Sequence, residues 1–550
     1  MPVPPPGLTV EESPVDLLLR EQGMLQTPVG AFSARHDAGI VEPEQAKFYK
    51  QLIPLSKPQA GEQYAFKVDL DKCTGCKACV SACHSLNGLE ENETWRDVGT
   101  IHGVDPAGAA YTQTVTTACH HCTDPACLNG CPVLAYEKDP ETGIVYHLDD
   151  QCIGCQYCVL KCPYDVPKYS KKLGIVRKCD LCQSRLADGE APACAQACPT
   201  EAISVTIVDI AATEARARGT GDFLPGAPEP SYTVPTTDYV SARSIPADAV
   251  AGDHYALQPE HGHLPLVFML VLTQLSVGLF AFSLFGAAAT AKAATIAGFA
   301  AMSVGLAASV SHLGRPLGAW RAFLGLRRSW LSREIVTFGV FSGVAGMYLL
   351  SGYAEPLATS LSGYGAPEIL SASLAELSGL RRGLGWGTVG IGLLGVYTSV
   401  MIYHDTRRPF WFFPITAIQF YGTTVGLAAA AYLPIAVAFG ADIAVALGCL
   451  IVSVGAKLIL TATTLRSARE THLSPAKKTA LLLLRPLRWT TLARVGTALA
   501  GLCAAGVLSL MPGSLPLAVL GFLLILTSEL LERTLFFRAV AAPKMPGGIY

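Results

Sequence analysis

Residues 151–163 read QCIGCQYCVLKCP. Cys152, Cys155, Cys158 and Cys162 are separated by two, two and three residues, and Pro163 follows the last. A tight C-x2-C-x2-C loop supplies three thiolates to one cubane iron–sulfur cluster, and the fourth cysteine of such a run ligates the other cluster of a pair. The proline turns the chain away and removes a backbone donor. The pattern recurs. Cys73, Cys76, Cys79 and Cys83 repeat the spacing, and Cys119, Cys122, Cys127 and Cys131 widen it once. Cys179, Cys182, Cys194 and Cys198 carry one long insertion. Structural zinc prefers separated C-x2-C pairs, so four complete quartets imply four 4Fe–4S clusters, with these sixteen cysteines as iron ligands. The two left over, Cys449 and Cys503, stand alone in apolar sequence and read as packed side chains.

Working outward, residues 1–64 have no cysteine and mix Pro/Gly with short amphipathic pieces, the texture of an N-terminal extension that lies on a neighbour. The cysteine domain is expected over 65–205, and a Pro/Gly/Ala/Thr-rich connector over 206–262 should run extended. From residue 263 to 550 the texture is apolar. Only 15% of the chain is charged, against the usual quarter, which points to a membrane component. A net charge of −2 gives no general attraction to nucleic acid. Eight apolar runs begin near residues 264, 293, 334, 384, 413, 442, 489 and 515. Each supplies the roughly 20 residues a spanning helix requires. The expected architecture is an α+β ferredoxin-like four-cluster domain followed by an all-α eight-helix transmembrane bundle.

An even number of spans puts both ends of this half on one side. Seventeen Lys/Arg residues flank the cysteine-domain side, from Arg243 through the loops at 315–333, 407–408 and 466–488 to Lys544. Three (Lys292, Arg381, Arg382) flank the other. Lys/Arg excess marks the cytoplasmic face. The N-terminal stretch MPVPPPGLTVEESPVDLLLR shows no export signal. The expectation is an inner-membrane, multi-pass protein with its iron–sulfur domain and both termini in the cytoplasm. Some of those basic residues could instead dock the cysteine domain.

The stretches ACHHCTDPACLNGCP (118–132), DDQCIGCQYCVLKCPYDVPKY (149–169) and VRKCDLCQSRLADGEAPACAQACPTEAI (176–203) resemble the four-cluster iron–sulfur subunit of the dimethyl sulfoxide reductase group of molybdoenzymes. The resemblance implies that runs one and four pair, and runs two and three. Cys73, Cys76, Cys79 and Cys198 would then hold one cluster, and Cys179, Cys182, Cys194 and Cys83 its mate. Cys119, Cys122, Cys127 and Cys162 would hold the third, and Cys152, Cys155, Cys158 and Cys131 the fourth. The membrane half resembles the anchor subunit of the same enzymes, through SHLGRPLGAWRAFLGLRRSWLSREI (311–335) and, more faintly, SELLERTLFF (528–537). In that family the two are usually separate chains, and here they look fused. The resemblance places quinol handling at His312 and Glu334. It also implies a separate molybdopterin-containing catalytic subunit as partner.

Charged groups inside spanning helices are expensive and usually functional. Lys457, Glu529 and Arg533 join His312 and Glu334 as candidates, with Lys457 expected to pair with Glu529 or Glu334. All lie toward the cysteine-domain face, where a quinone would meet the last cluster. His312 and His404, the two histidines read near a span, would serve one bis-histidine haem at most, and none is expected. The sequence reads as a non-catalytic electron-transfer and anchor subunit of an oxidoreductase. Two rivals are a self-contained ferredoxin:quinone oxidoreductase and a redox-inert tether.

Overall fold

The computed structural model describes residues 52–547 except 92, 222, 364–372, 374 and 375. Most of the expected N-terminal extension lies outside the described residues. Its last residues already belong to the fold, because β1 (Glu62–Asp69) is the middle strand of a sheet.

The cysteine domain continues through α1 (Ala78–Leu86), β2 (Asp97–Val104), β3 (Ala110–Thr117), α2 (Ala126–Gly130), β4 (Tyr136–Lys138) and β5 (Val145–His147). Then come α3 (Tyr157–Lys161), β6 (Lys168–Ser170), β7 (Ile175–Arg177), α4 (Gln183–Ala187), α5 (Ala193–Gln196) and β8 (Ile203–Asp209). β1 and β8 pair antiparallel over seven residue pairs, from Glu62↔Asp209 to Val68↔Ile203. Along β1, Gln63 and Ala65 are buried on one face and Phe66 and Val68 on the other, with Lys67 exposed, as suits a middle strand covered on both sides.

The segment 206–262 departs from the expected extended linker. It completes β8, forms α6 (Ile210–Gly219) under an Asp209 cap that accepts from the Ala212 amide, and adds β9 (Asp238–Val240) and β10 (Val250–Ala251). β9 joins β1 in parallel and β10 joins β2 antiparallel, so the connector closes both three-stranded sheets. Strands of two or three residues are held by ladder hydrogen bonds and need no apolar periodicity, which is why composition did not reveal them.

The second half is helical: α7 (Leu264–Ser283), α8 (Ala288–Ser311), α9 (Trp330–Ser351), α10 (Arg381–His404), α11 (Phe413–Ala438), α12 (Ala444–Arg466), α13 (Arg488–Leu510) and α14 (Leu515–Arg538). All eight are long and apolar enough to cross a membrane. Small residues let them approach closely. A Cβ on Gly278 of α7 would overlap the Thr424 carbonyl of α11, and one on Gly392 of α10 would meet Val277 at 2.7 Å.

The two halves are bolted together. The loop between α8 and α9 lies on the cysteine domain: the Arg315 amide donates to the Ile153 carbonyl (3.1 Å), and the Gly325 amide to that of Pro132 (2.8 Å). Ser329 caps α9 through its side chain and donates its hydroxyl to the Gly130 carbonyl at 2.7 Å. Lys161 meets Asp405 at 2.6 Å, and the Tyr157 hydroxyl donates to the Ile402 carbonyl at 3.0 Å. Beyond α14 the chain turns back, Lys544 pairs with Asp253 at 2.5 Å, and Met545 is buried in the core of the cysteine domain. Several basic residues counted for sidedness therefore have docking work. Arg315 and Arg321 donate to the Asp149 and Asp150 carbonyls, and Arg408 to that of Leu160.

Candidate functional site

The four cysteine runs share one local conformation. The residue before the second cysteine is left-handed in each: Gly75 (φ 74°), His121 (φ 41°), Gly154 (φ 69°) and Leu181 (φ 60°). In the two tight runs the residue after it is left-handed as well, Lys77 and Gln156, and a short helix starts there. Such a turn points successive amides inward, an anion-binding concavity. Amides donate onto sulfur accordingly: Gly154 to Cys152 (3.4 Å), Leu181 to Cys179 (3.5 Å), Ala135 to Cys131 (3.2 Å) and Ala202 to Cys198 (3.3 Å).

The thiols converge across runs. Burial pushes the Cys83 thiol up to about 12, and Cys194 and Cys182 are the thiols that add to the shift. Cys79 is raised by burial and feels Cys194 and Cys198. Burial pushes Cys127 up to about 12, with Cys162 and Cys119 contributing, and Cys131 up to about 11, with Cys152 beside it. Cys119, Cys122, Cys127 and Cys162 together line one cavity of the domain. Among the described residues no three Cys, His, Asp or Glu side chains converge tightly enough for a single metal ion. Sulfur donors around a cavity, wider than a mononuclear zinc site and fed by amide donors, fit an iron–sulfur cluster.

Two buried cations accompany the thiols, and no motif marked them. Arg96 is 2% exposed, donates from one terminal nitrogen to Thr116 Oγ1 at 3.2 Å, and stacks over Phe66 at 4.4 Å. Lys178 is 3% exposed, donates to the carbonyls of Val145 and Cys179, and sits 3.7 Å from Cys119 Sγ.

Beneath the run of Cys152 lies a cavity of about 250 Å³ at the seam between the halves. Its walls are largely apolar, and Cys155, Tyr157, His312, Glu334 and Tyr403 face it. His312 follows the last turn of α8, and its Nδ1 lies 2.5 Å from the Ser309 carbonyl. A carbonyl only accepts, so Nδ1 carries the proton and Nε2 of the neutral ring is an acceptor. Glu334 is in the first turns of α9, buried, and takes a short hydrogen bond from the Ser399 hydroxyl of α10. The sequence-derived pair is brought to one cavity. Tyr157 and Tyr403 also line it, and their sequence context carried no signal.

Lys457, Glu529 and Arg533 form a separate buried network. Lys457 pairs with Glu529, stands 3.4 Å from Glu532, and shares Thr423 Oγ1 at 2.9 Å. Arg533 donates to Gln274 Oε1 (2.9 Å) and Thr423 Oγ1 (3.1 Å) and covers the Phe420 ring at 3.9 Å. Of the two partners expected for Lys457, it takes Glu529; none of the three lines the cavity of His312 and Glu334.

Amide-lined cysteine turns on an α+β domain, docked on eight membrane-length helices, define an iron–sulfur electron-transfer domain fused to a multi-pass membrane anchor. Residues 259–538 match the family described as DMSO reductase anchor subunit (DmsC). Residues 64–85 match a 4Fe-4S binding domain, and 110–208 a 4Fe-4S dicluster domain. The protein belongs to the DMSO reductase anchor family, with an iron–sulfur subunit fused ahead of the anchor. The B subunit of the anaerobic dimethyl sulfoxide reductase of Haemophilus influenzae is 37% identical over 156 residues, 27% of this chain and 76% of that protein. Thiosulfate reductase electron transfer subunit PhsB of Salmonella typhi is 39% identical over 150 residues, 27% of this chain and 77% of its own length. Hydrogenase-2 operon protein HybA of Escherichia coli O157:H7 is 37% identical over 163 residues, but only 49% of it is covered.

Proposed function

We propose that this chain links a separate molybdopterin catalytic subunit to the quinone pool, through four 4Fe–4S clusters and a quinone site at His312 and Glu334. The observation that carries the reading is the shared cavity, where the cluster ligand Cys155 and the two membrane-edge residues face one space. When bound, the clusters carry electrons singly between partners. The thiol neighbourhoods support the cross-run pairing: Cys198 near Cys79, Cys83 near Cys182 and Cys194, Cys162 near Cys119 and Cys127, and Cys131 near Cys152. Cys194 adjoins Cys79, Cys179 adjoins Cys119, and Tyr136 lies beside both Cys127 and Cys158, which supports quartets strung in a row. The row runs from the exposed Cys76 to Cys155 at the seam.

The apolar walls hold the quinone ring and exclude water. His312 exchanges a proton with one quinone oxygen through Nε2, and Glu334 accepts it on the cluster side, so no proton crosses the bilayer centre. The sulfoxide and thiosulfate reductases named among the relatives support an oxyanion or sulfoxide reductase partner. The basic-residue asymmetry supports a cytoplasmic iron–sulfur domain. The test is a quinol analogue added anaerobically to membranes holding the oxidised protein. Reduced-cluster signals should grow in; a protein replete in iron that stays oxidised, with an analogue of suitable potential, overturns the quinone assignment.

A further inference from the structure

We propose that Arg96 and Lys178 are the built-in counter-charges of the electron wire, raising the reduction potentials of the clusters between which they are buried. The inference rests on the four-cluster reading above and concerns residues that reading does not use.

A buried charge is costly unless it is paired. Among the described residues, neither side chain forms an ion pair with a carboxylate. Asp97, next to Arg96 in sequence, is exposed and accepts from the Val98 amide, and Glu93 is taken by Arg177; Asp180, near Lys178, accepts from the Cys182 amide. Arg96 keeps two donors, Nε and one terminal nitrogen, buried without an oxygen or nitrogen acceptor. The anions that do face it are sulfur: Thr116 Oγ1, which accepts from Arg96, lies 3.6 Å from Cys79 Sγ. Burial opposes its charge, and Cys194, Cys79, Cys179 and Cys83 more than offset that. Those residues come from the first quartet and its mate. Lys178 Nζ sits 3.7 Å from Cys119 Sγ; burial opposes its charge, Asp180 offsets a lesser part of that, and the larger contributions are the thiols of Cys119, Cys127 and Cys179. Those residues come from the third quartet and the second. Each cation therefore stands between two consecutive quartets, and the second quartet meets both.

Electron uptake by a cluster adds one unit of negative charge and breaks no bond. A fixed cation within a few ångströms, in a low-dielectric interior, stabilises the more negative state and so raises the potential. The quartet of Cys131, Cys152, Cys155 and Cys158 faces a different group, the His147 ring against Cys152, and serves as an internal control.

The test is an EPR-monitored redox titration of the purified full-length protein, with iron content measured on the same samples. Lys178→Met should lower the potentials of the second and third clusters, Arg96→Met those of the first and second, and both should leave the fourth in place. Lys178→Arg and Arg96→Lys should keep wild-type potentials. Iron-replete Met variants with unchanged potentials overturn the proposal, as does a shift of the fourth cluster equal to the others. If a Met variant loses iron, the charge-preserving variant decides: retained clusters at wild-type potentials support the charge requirement, and equal iron loss overturns it. A wild-type protein with fewer than four clusters would instead sink the four-cluster reading itself.

Discussion

Gly314 lies where the membrane half presses on the cysteine domain beside the run of Cys152, and replacing it by alanine should loosen the roof of the seam cavity. A Cβ there would fall 2.5 Å from the Gly174 carbonyl carbon and 2.7 Å from its Cα, and nearer still to the carbonyl oxygen. Carbon atoms settle at about 3.5–4.0 Å, so the loop would retreat by about 1 Å. The opposing wall cannot yield easily, because Gly174 (φ 67°) is itself pressed against Gly154 (φ 69°), inside the run of Cys152. Overpacking of this kind costs about 1–3 kcal/mol. The functional effect should reach the upper end of that range, since Leu313 and His312 next to Gly314 line the cavity together with Ile153 and Cys155. A misplacement of about 1 Å in a reacting constellation costs on the order of 10²-fold in rate. The assay is stopped-flow reduction of the clusters by a quinol analogue in membranes, with iron content as control. Gly343→Ala in α9 is the comparison, since a Cβ there meets nothing within 4 Å. If Gly314→Ala reduces as fast as Gly343→Ala, the seam is not the route between quinol and cluster.

Three other outcomes follow from the same contacts. Lys457→Met strands the Glu529 carboxylate among buried groups and should cost about 3–5 kcal/mol, while Lys457→Met with Glu529→Leu should recover much of it; thermal unfolding that fails to separate single from double variant would refute the pairing. Cys198→Ser should remove the cluster held by Cys73, Cys76 and Cys79 and spare that of Cys179, Cys182 and Cys194, and EPR of the variant showing the reverse would refute the cross-run pairing. A reporter fused after Tyr550 should be active in the cytoplasm, and activity on the opposite side would reverse the assigned orientation.

Spacing carried the chemistry that is local in sequence. The cysteine runs were legible because each turn is built from neighbours, and the spans because apolar length needs no tertiary context. His312 and Glu334 were legible through the stretch 311–335 that resembles the anchor family. Arg96 and Lys178 were not, because a lone cation in a polar stretch reads the same whether it faces water or a quartet of sulfurs; only the fold buries them. Tyr157 and Tyr403 reach the cavity from different halves, a proximity no spacing encodes. The strands after residue 206 are held by backbone pairing, which side-chain pattern does not register. The count of basic residues mixed two roles, since Arg315, Arg321 and Arg408 bond the cysteine domain as well as flank the spans.

In the proposed function His312 and Glu334 join the quinone to the cluster above them. Its most direct test is quinol-driven reduction of the iron–sulfur signals in membranes carrying His312→Ala or Glu334→Gln, alongside full chemical reduction by dithionite. Dithionite should reduce every cluster in both variants as in wild type, whereas quinol should reduce them roughly 10²-fold more slowly, the lower end of what a positioned acid–base group contributes. Quinol reduction at the wild-type rate in both variants would contradict it, leaving the two residues as packing at the membrane edge.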